Sequence, residues 1–364
     1  MAEYEILKKR KTKLRTAGKV VSRFFTVLLV TVLIAVTALC SAMWVLVRGP
    51  SPAAKKLSVM TARETSAMGW LPNLYLTNYE IDLIMRPAAA ASPEDDVETT
   101  DTTLITIAKP KPVMPVHNDT VDDSQPNVIQ ETDEYEDIEF HKIFGNGYRG
   151  FMLVVKDPKR LFVGTPRSFG GTGVLLENMV RNTGAVAGIN AGGFYDPQGT
   201  GRGGIPDGIV ICDGVLRWGA DVGSVSLMGF DDEGILHVGN MDAEAAMELN
   251  LQWAVSFGPV LIKNGVVQKS AMGRSGINPR TAIGQRADGA ALLLVIDGRQ
   301  IDSLGATYDD LVDIFLDYGA INAANLDGGS STLMVYNGEV INRSASVSGP
   351  RPLPTAFLVR AADG

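Results

Sequence analysis

Cysteine and histidine are scarce in this sequence, which has two cysteines and three histidines among 364 residues. Cys212 is the only cysteine after the long apolar run near the start of the chain, so no disulfide can form within that later part. His141 and His237 lie in the globular sequence without the spacing of a zinc site. We expect His237 to be an exposed residue on an alternating strand. The sequence therefore argues against a disulfide scaffold, a zinc centre and histidine-based catalysis.

Phosphate loops and nucleophilic serines are also missing. Gly328-Gly329-Ser330-Ser331 precedes an apolar run without lysine, whereas a Walker-type loop needs Gly-Lys-Ser/Thr at the start of a helix. Neither serine fits the Gly-x-Ser-x-Gly pattern of a nucleophile elbow. The chain has no EF-hand loop, although other modes of Ca²⁺ or Mg²⁺ binding by aspartates stay open. We expect no cofactor, no metal ligand set and, at a net charge of -8, no nucleic-acid partner.

Charged residues are absent from residues 24–47. At about 1.5 Å per helical residue, this apolar run covers the roughly 30 Å hydrocarbon core of a bilayer. Eight lysines and arginines precede it in residues 1–23, and such a basic flank stays in the cytoplasm. A cleaved signal peptide is the competing interpretation, but its apolar region normally has only about 7–15 residues. We predict an uncleaved, single-pass anchor in the cell membrane, with a cytoplasmic tail and an extracellular C-terminal domain.

Two segments separate this anchor from the globular sequence. Residues 48–86 mix apolar and polar side chains and predict short membrane-proximal helices of unknown role. Residues 87–140 are rich in Asp and Glu and poor in aromatic side chains. Such a segment buries too little apolar surface to offset its chain entropy, so we predict a disordered acidic linker.

Short apolar runs alternate with glycine-rich turns over residues 141–364, which predicts a series of strands. Apolar periodicity predicts two helices, at residues 173–184 and 308–319. Three dipeptides are typical of tight hairpins, namely Asp213-Gly214, Asn264-Gly265 and Asn337-Gly338. We therefore predict a strand-rich α+β domain with a mixed sheet and few helices, preceded by one transmembrane helix and a disordered acidic linker.

Two Asp-Gly pairs end the strands of a predicted strand–helix–strand unit. Asp297 follows the run 291–296, and Asp327 follows the run 321–326 after the intervening helix. Such units have parallel strands, so both carboxylates should lie at one sheet edge, where α/β proteins bind ligands. Their separation would be roughly 5 Å on neighbouring strands and about 10 Å with one strand between them. Paired carboxylates of glycosidases have spacings in this range.

Three glycine-rich turns gather the remaining polar chemistry. "GINAGGFYD" (188–196) and "NLDGGSST" (325–332) follow buried strands, and "NPRTAIGQ" (278–285) begins one. Each is also explained as an ordinary turn, and Arg280 as a structural arginine paired with an acid. Together they predict a site for an anionic, sugar-like ligand, because arginine grips two phosphate oxygens and glycine lets a ligand approach the backbone.

An ordered set of motifs resembles the phosphodiester glycosidase domain family. The motifs are "GINAGGFYD", "SFGPVLIKNGVV", "NPRTAIGQ", "LLLVIDGR", "AANLDGGSSTLMVYNG" and "RPLPTAFLV", all within residues 141–364. Bacterial members of this family are often labelled exopolysaccharide biosynthesis proteins. The resemblance implies hydrolysis of the bond between a sugar's anomeric carbon and a phosphate, in a phosphorylated glycan or polysaccharide at the bacterial cell surface.

The predicted site combines these turns with the resemblance. Asp327 is the leading catalytic carboxylate and Asp297 its partner. The predicted substrate-binding residues are Asn190, Gly192, Gly193, Arg280, Gly328, Gly329, Ser330, Ser331 and Arg351. Two other functions stay open: a non-catalytic surface glycan-binding module, and an exopolysaccharide assembly factor that acts through the membrane-proximal helices.

Overall fold

The first helix of the chain contains one long apolar stretch. A computed structural model describes residues 1–65, 68–85, 100–107, 137–196, 201–273, 275–346 and 348–362, without the side chains of 2, 3, 5–18 and 20. Helix α1 (Ala2–Arg48) contains the stretch Val21–Arg48, which is long and apolar enough to cross a membrane. The most apolar part of that stretch is not buried within the protein. Such a helix is compatible with a membrane span or a signal sequence.

Short helices follow α1 within residues 48–86. They are α2 (Pro52–Arg63), a 3-10 helix (Leu71–Leu74) and α3 (Asn78–Met85). Ser51 caps α2 by accepting a hydrogen bond from the N–H of Ala54 at 3.2 Å. A small core joins these helices to the end of α1 through the buried side chains of Val47, Val59, Leu76 and Ile81.

The rest of the described chain is strand-rich, which confirms the predicted fold class. Its strands are β1 (Ile138–Gly145), β2 (Tyr148–Val155), β3 (Leu161–Gly164), β4 (Ala187–Asn190), β5 (Val210–Cys212), β6 (Val215–Trp218), β7 (Val225–Asp231), β8 (Leu236–Met241), β9 (Leu251–Ser256), β10 (Val260–Lys263), β11 (Val266–Val267), β12 (Arg280–Arg286), β13 (Ala291–Ile296), β14 (Ala320–Leu326), β15 (Met334–Tyr336), β16 (Glu339–Val340) and β17 (Ala356–Val359). Its helices are α4 (Leu176–Thr183), α5 (Ala243–Glu248) and α6 (Tyr308–Asp317).

Three sheets form this domain. Seven strands pair in the order β1-β2-β13-β12-β14-β10-β11. The two five-stranded sheets have the orders β16-β15-β4-β17-β3 and β6-β5-β9-β7-β8. On β13, Leu293 and Val295 join the core shared with the other sheets, whereas Leu292 and Leu294 join the core under α6. The strand is apolar throughout because both of its faces are buried.

The predicted hairpin turns are present, and α4 and α6 each have a recognisable cap. Both residues of each predicted hairpin dipeptide have positive φ angles, from 53° to 76°, and these dipeptides join β5 to β6, β10 to β11 and β15 to β16. Gly184 ends α4 in the left-handed conformation with φ 68°. A capping box begins α6, since Thr307 and Asp310 satisfy each other's backbone N–H groups.

The strand–helix–strand unit has the predicted parallel strands. β13 and β14 both pair antiparallel with β12, which lies between them. The register pairs Arg280 with Ile296 and Thr281 with Leu326, so Asp297 and Asp327 leave the sheet at the same edge. Two strand spacings separate the two strand ends, about 10 Å.

Part of the predicted acidic linker contacts the domain. Residues 100–107 are described, and within them the Asp101 N–H donates to Asn264 Oδ1 and the Thr106 N–H to Ala287 O, each at 2.8 Å. β1 also begins at Ile138, inside the segment predicted as linker. Residues 86–99 and 108–136, which hold most of the predicted linker, lie outside the described residues.

The prediction for His237 is wrong. This residue is buried, and its Nε2 lies 2.8 Å from Asp231 Oδ2. The alternating pattern failed because β8 contacts both β10 and β14 of the larger sheet, so the face expected to meet solvent is covered.

Candidate active site

A cavity of about 260 Å³ lies at the sheet edge where β14 ends. Its walls come from the turn after β14 (Asp327–Ser331), the loop after β4 (Gly193–Asp196) and the segment around the start of β12. Its charged lining residues are the carboxylates Glu64, Asp196, Asp207 and Asp327 and the guanidinium groups of Arg280, Arg299 and Arg351. Acidic and basic groups are therefore mixed in one concave site.

Asn190 fixes the backbone on which Asp327 stands. Its Nδ2 donates to the carbonyl oxygen of Asp327, while its Oδ1 accepts from Thr281 Oγ1 at 2.7 Å and from Leu333 N at 3.0 Å. The Asp327 N–H in turn donates to Ala191 O at 2.9 Å. Asn190 is fully buried and does not line the cavity, so it holds the turn from behind it.

Asp327 faces the cavity in an environment that favours its protonated form. Burial raises the pKa of Asp327 to about 7, and the negative charge of Asp196 acts in the same direction. A hydrogen bond from Ser331 and the positive charge of Arg351 oppose this shift. A carboxyl group with a pKa near neutrality can both hold and release a proton at physiological pH.

Asp196 is a second carboxylate in the cavity, and it is held ionised. Burial disfavours its charge, but hydrogen bonds from Arg351 and the Gly201 N–H outweigh this and lower the pKa of Asp196. Arg351 Nη1 donates to Asp196 Oδ2 at 2.8 Å and to Ser330 Oγ at 3.2 Å. Its guanidinium carbon also lies over the Phe194 ring, 4.7 Å from the ring centre. Asp196 ends the motif "GINAGGFYD", but no pattern in the sequence indicated a role for it.

The predicted glycines supply space, and most of their N–H groups are already used. The N–H of Gly192 donates to Thr355 Oγ1, that of Gly193 to Ser256 O, and that of Gly329 to Pro279 O. A Cβ on Gly193 would lie 3.0 Å from the Phe257 ring, and Gly329 has a φ of 60°. These N–H groups therefore hold the loops together, where the sequence predicted contacts to a ligand.

Arg280 lies in the cavity wall, with partners for its Nε and Nη2 donors. Its Nε donates to Ala306 O at 3.0 Å, its Nη2 donates to Glu64 Oε2 at 2.8 Å, and its guanidinium stacks over Tyr308 at 4.5 Å. Glu64 follows α2 and comes from the membrane-proximal segment. It also accepts hydrogen bonds from Asn278 Nδ2 at 2.9 Å and from Gly276 N at 2.8 Å. The membrane-proximal segment thus contributes to the wall of the site.

The hydrogen-bond partners of the Arg299 guanidinium among the described residues are neutral. Its Nη2 donates to Asn278 Oδ1 at 3.0 Å and to Thr65 Oγ1 at 3.2 Å. Burial and the neighbouring charge of Arg280 lower its pKa from the ordinary value, and Glu64 opposes that shift. A guanidinium in this setting is suited to bind an anion. Arg299 ends the quoted motif "LLLVIDGR", but the sequence offered no reason to single it out.

Asp297 shares the sheet edge but does not line the cavity. Its Oδ2 accepts from Arg149 Nε at 2.9 Å, and its Oδ1 accepts from Arg343 N at 2.9 Å and from Asn342 Nδ2 at 3.3 Å. The residue is 1% exposed. The structure thus brings Asp327, Arg280, Gly193, Arg351 and the turn 328–331 together, and it directs the carboxylate of Asp297 elsewhere.

Asn325 presents an unused acceptor in the cavity. Its Nδ2 donates to Gly258 O at 2.8 Å, but its buried Oδ1 has no hydrogen-bond partner within the described residues. A buried amide oxygen without a partner costs free energy unless a ligand or water satisfies it. Asn325 is therefore a candidate to accept a hydrogen bond from a ligand hydroxyl.

Comparison with known proteins agrees with the predicted resemblance. Residues 183–360 match the phosphodiester glycosidase family. A curated relative, the SPbeta prophage-derived uncharacterized protein YomE of Bacillus subtilis, is 33% identical over 175 residues, which are 45% of this chain and 26% of YomE. The chain therefore matches about a quarter of the length of this relative.

Two solved structures share the fold. One is the catalytic domain of zebrafish N-acetylglucosamine-1-phosphodiester alpha-N-acetylglucosaminidase, auto-inhibited by its pro-peptide, at 22% identity and a TM-score of 0.52 over 65% of this chain and 85% of that chain. The other is a hypothetical protein from Synechocystis, at 17% identity and a TM-score of 0.53 over 65% of this chain and 64% of that chain. The family-type fold is therefore shared, at identities too low to transfer an activity.

Proposed function

We propose that this chain is a membrane-anchored hydrolase that cleaves the bond between a sugar's anomeric carbon and the phosphate of a phosphodiester. The observation that carries this proposal is that one cavity is lined by two carboxylates in unlike surroundings. Burial raises the pKa of Asp327 to about 7, whereas the pairing with Arg351 helps to lower the pKa of Asp196. Carboxyl groups whose environments separate their pKa values mark the acid–base groups of many hydrolases. The family match at residues 183–360 supports the reaction class.

Asp327 is the group that moves a proton in this proposal. A phosphate is already a fair leaving group, so the attacking water needs more assistance than the departing oxygen. In its ionised form, Asp327 takes a proton from that water as its oxygen bonds to the anomeric carbon. The carbon–oxygen bond to phosphate breaks, and the products are a free sugar and a phosphate monoester.

The other cavity residues stabilise charge and hold the substrate. The negative charge of Asp196 faces an oxocarbenium-like transition state, in which positive charge develops on the sugar. Arg299 neutralises the phosphate, and Asn325 Oδ1 accepts from a sugar hydroxyl. For Asp297 we propose a structural role, because its carboxylate accepts hydrogen bonds from Arg149 and from the backbone N–H of Arg343 instead of lining the cavity.

The orientation in the membrane follows from the sequence. The basic residues before Phe24 favour a cytoplasmic N-terminus, and the α1 stretch supplies one span, so the domain would lie outside the cell. Protease added to intact spheroplasts should then remove the domain and leave a small protected fragment. If the whole domain were protected from the protease, it would lie in the cytoplasm and the proposed orientation would be wrong.

The direct test is hydrolysis of a defined substrate by the full chain in detergent. The methyl ester of N-acetylglucosamine 1-phosphate is a suitable probe, because the zebrafish neighbour is named for that linkage. Release of methyl phosphate, followed by phosphorus NMR, supports the proposal. A protein that binds this ester without turnover would instead be the glycan-binding module that the sequence left open.

A further inference from the structure

A second cavity, of about 380 Å³, lies between the membrane-proximal helices and the domain. Met43 and Leu57 line it from one side, and Ile277 and Leu304 line it from the other. Met43 belongs to the apolar stretch of α1. The second cavity is therefore largely apolar and lies beside the end of the candidate membrane span.

Specific contacts fix α2 against the domain. The Ile277 N–H donates to Thr61 Oγ1 at 2.9 Å, and Glu64 binds Arg280 at 2.8 Å. The close approach requires Gly276, since a Cβ there would lie 2.2 Å from the Thr61 backbone. α2 has 12 residues and rises about 18 Å, and only three residues separate it from α1. The cavity that contains Asp327, called the polar cavity from here on, is thus held within roughly one short helix length of the candidate membrane span in α1.

Asn278 and Arg299 line both cavities. The Arg299 guanidinium has Asn278 and Thr65 as neutral partners, so its charge is available to an anion. An anion at Arg299 would have the polar cavity with Asp327 on one side and the apolar cavity on the other. The two cavities therefore fit a molecule with a polar and an apolar part joined by a phosphate.

The lining of the second cavity favours a hydrocarbon chain over more glycan. Among the described residues that line it, Arg299 carries the charge, and the rest are apolar, hydroxyl or amide side chains. Sugar hydroxyls placed against Met43, Leu57 and Leu304 would lose their hydrogen bonds to water without replacement. A hydrocarbon chain gains from the same burial.

We propose that the substrate is a membrane lipid in which the anomeric carbon of a sugar is joined through phosphate to a long-chain alcohol. This inference rests on the proposed function. The sugar occupies the polar cavity, the phosphate meets Arg299, and the chain lies in the apolar cavity beside the span. Water's oxygen bonds to the anomeric carbon and the bond from that carbon to phosphate oxygen breaks. The products are a free sugar and an alcohol monophosphate that stays in the bilayer, and water's second proton passes through Asp327 to solvent.

The test is binding of geranyl phosphate, compared with methyl phosphate, to the full chain in phosphatidylcholine nanodiscs, with empty nanodiscs subtracted. Leu304→Asp introduces a charge into the apolar cavity at a residue that is 58% exposed, so folding should survive. Val215→Asp is the matched control, since Val215 is 53% exposed and lines neither cavity. Arg299→Gln removes the proposed phosphate contact.

We expect the wild type to bind geranyl phosphate at least about tenfold more tightly than methyl phosphate. The reason is that geranyl phosphate buries several methylene groups in the apolar cavity, whereas methyl phosphate buries none there. Leu304→Asp should remove most of this preference, Arg299→Gln should weaken both complexes, and Val215→Asp should change neither. Equal affinity for the two phosphates, or equal effects of Leu304→Asp and Val215→Asp, would overturn the lipid substrate.

Binding of geranyl phosphate involves neither a sugar nor turnover, which separates this inference from the proposed function. A geranyl preference in a protein that leaves the N-acetylglucosamine 1-phosphate ester intact would keep the lipid site and reject the hydrolase. Turnover of that ester without a geranyl preference would do the reverse.

Discussion

Asp297 and Asp327 occupy matching places and meet opposite surroundings. Each follows a strand of one parallel pair, each precedes a glycine, and the same strand β12 lies between them. Asp297 accepts hydrogen bonds from Arg149, Asn342 and Arg343, whereas Asp327 has Ser331 and a cavity in which burial raises its pKa to about 7. Equivalent motifs therefore gave one carboxylate satisfied by hydrogen bonds and one that lines a cavity with a raised pKa, and the difference lies in what the surrounding loops supply.

The largest expected effect separates these two residues by activity. Asp327→Asn should lower turnover of the methyl ester of N-acetylglucosamine 1-phosphate by about a thousandfold, because a carboxamide cannot take a proton from water. Asp297→Asn is the matched control and should keep most of the turnover. Steady-state kinetics on variants with unchanged circular dichroism measures both. Equal losses in two folded variants would restore Asp297 as the catalytic partner.

For stability, in contrast to turnover, we expect the larger loss at Asp297. Asp297→Asn should lower the free energy of unfolding by about 2 kcal/mol, because a buried carboxylate loses charge-assisted hydrogen bonds to Arg149 and Arg343. Asp302→Asn is the control: it pairs with the same Arg149 from a half-exposed position and should cost less than about 0.5 kcal/mol. Thermal melts of the full chain in detergent test this pair. A larger loss of stability in Asp302→Asn than in Asp297→Asn would show that Asp297 is not the stabilising partner of Arg149.

The pH dependence of the rate sharpens the role of Asp327. If the ionised form takes the proton, kcat/KM rises with pH and levels off above the pKa of about 7. Arg351→Gln should move the midpoint upward, because the positive charge of Arg351 lowers the pKa of Asp327. A rate that instead falls as pH rises through 7 would assign Asp327 as a general acid.

The smallest expected effect is a gain in stability. Asp327 has a pKa of about 7 in the folded chain and about 3.9 when unfolded, so its ionisation opposes folding increasingly as pH rises between those values. Asp327→Asn should therefore melt a few degrees above the wild type at pH 8 and close to it at pH 4. Melts at the two pH values, with Asp297→Asn as the comparison, measure this. A lower melting temperature for Asp327→Asn at pH 8 would mean that the carboxylate stabilises the fold.

Local patterns in the sequence predicted much of the fold and one side of the site. The strand runs, the hairpin dipeptides and the parallel unit with Asp327 at its end all depend on neighbouring residues, and all are present. The partners that complete the site come from far along the chain. Arg351 reaches Asp196 across 155 residues, and Glu64 reaches Arg280 across 216. Such contacts depend on how sheets and loops pack, which periodicity and turn chemistry do not encode.

We propose that the cavity at Asp327 cleaves the carbon–oxygen bond of a sugar 1-phosphodiester. Hydrolysis of the methyl ester of N-acetylglucosamine 1-phosphate in ¹⁸O-labelled water tests it directly, because the label marks the atom that water attacks. A glycosidase mechanism predicts the label in the sugar, at the anomeric hydroxyl, with none in methyl phosphate. Label in the phosphate product would show attack at phosphorus and contradict the glycosidase mechanism.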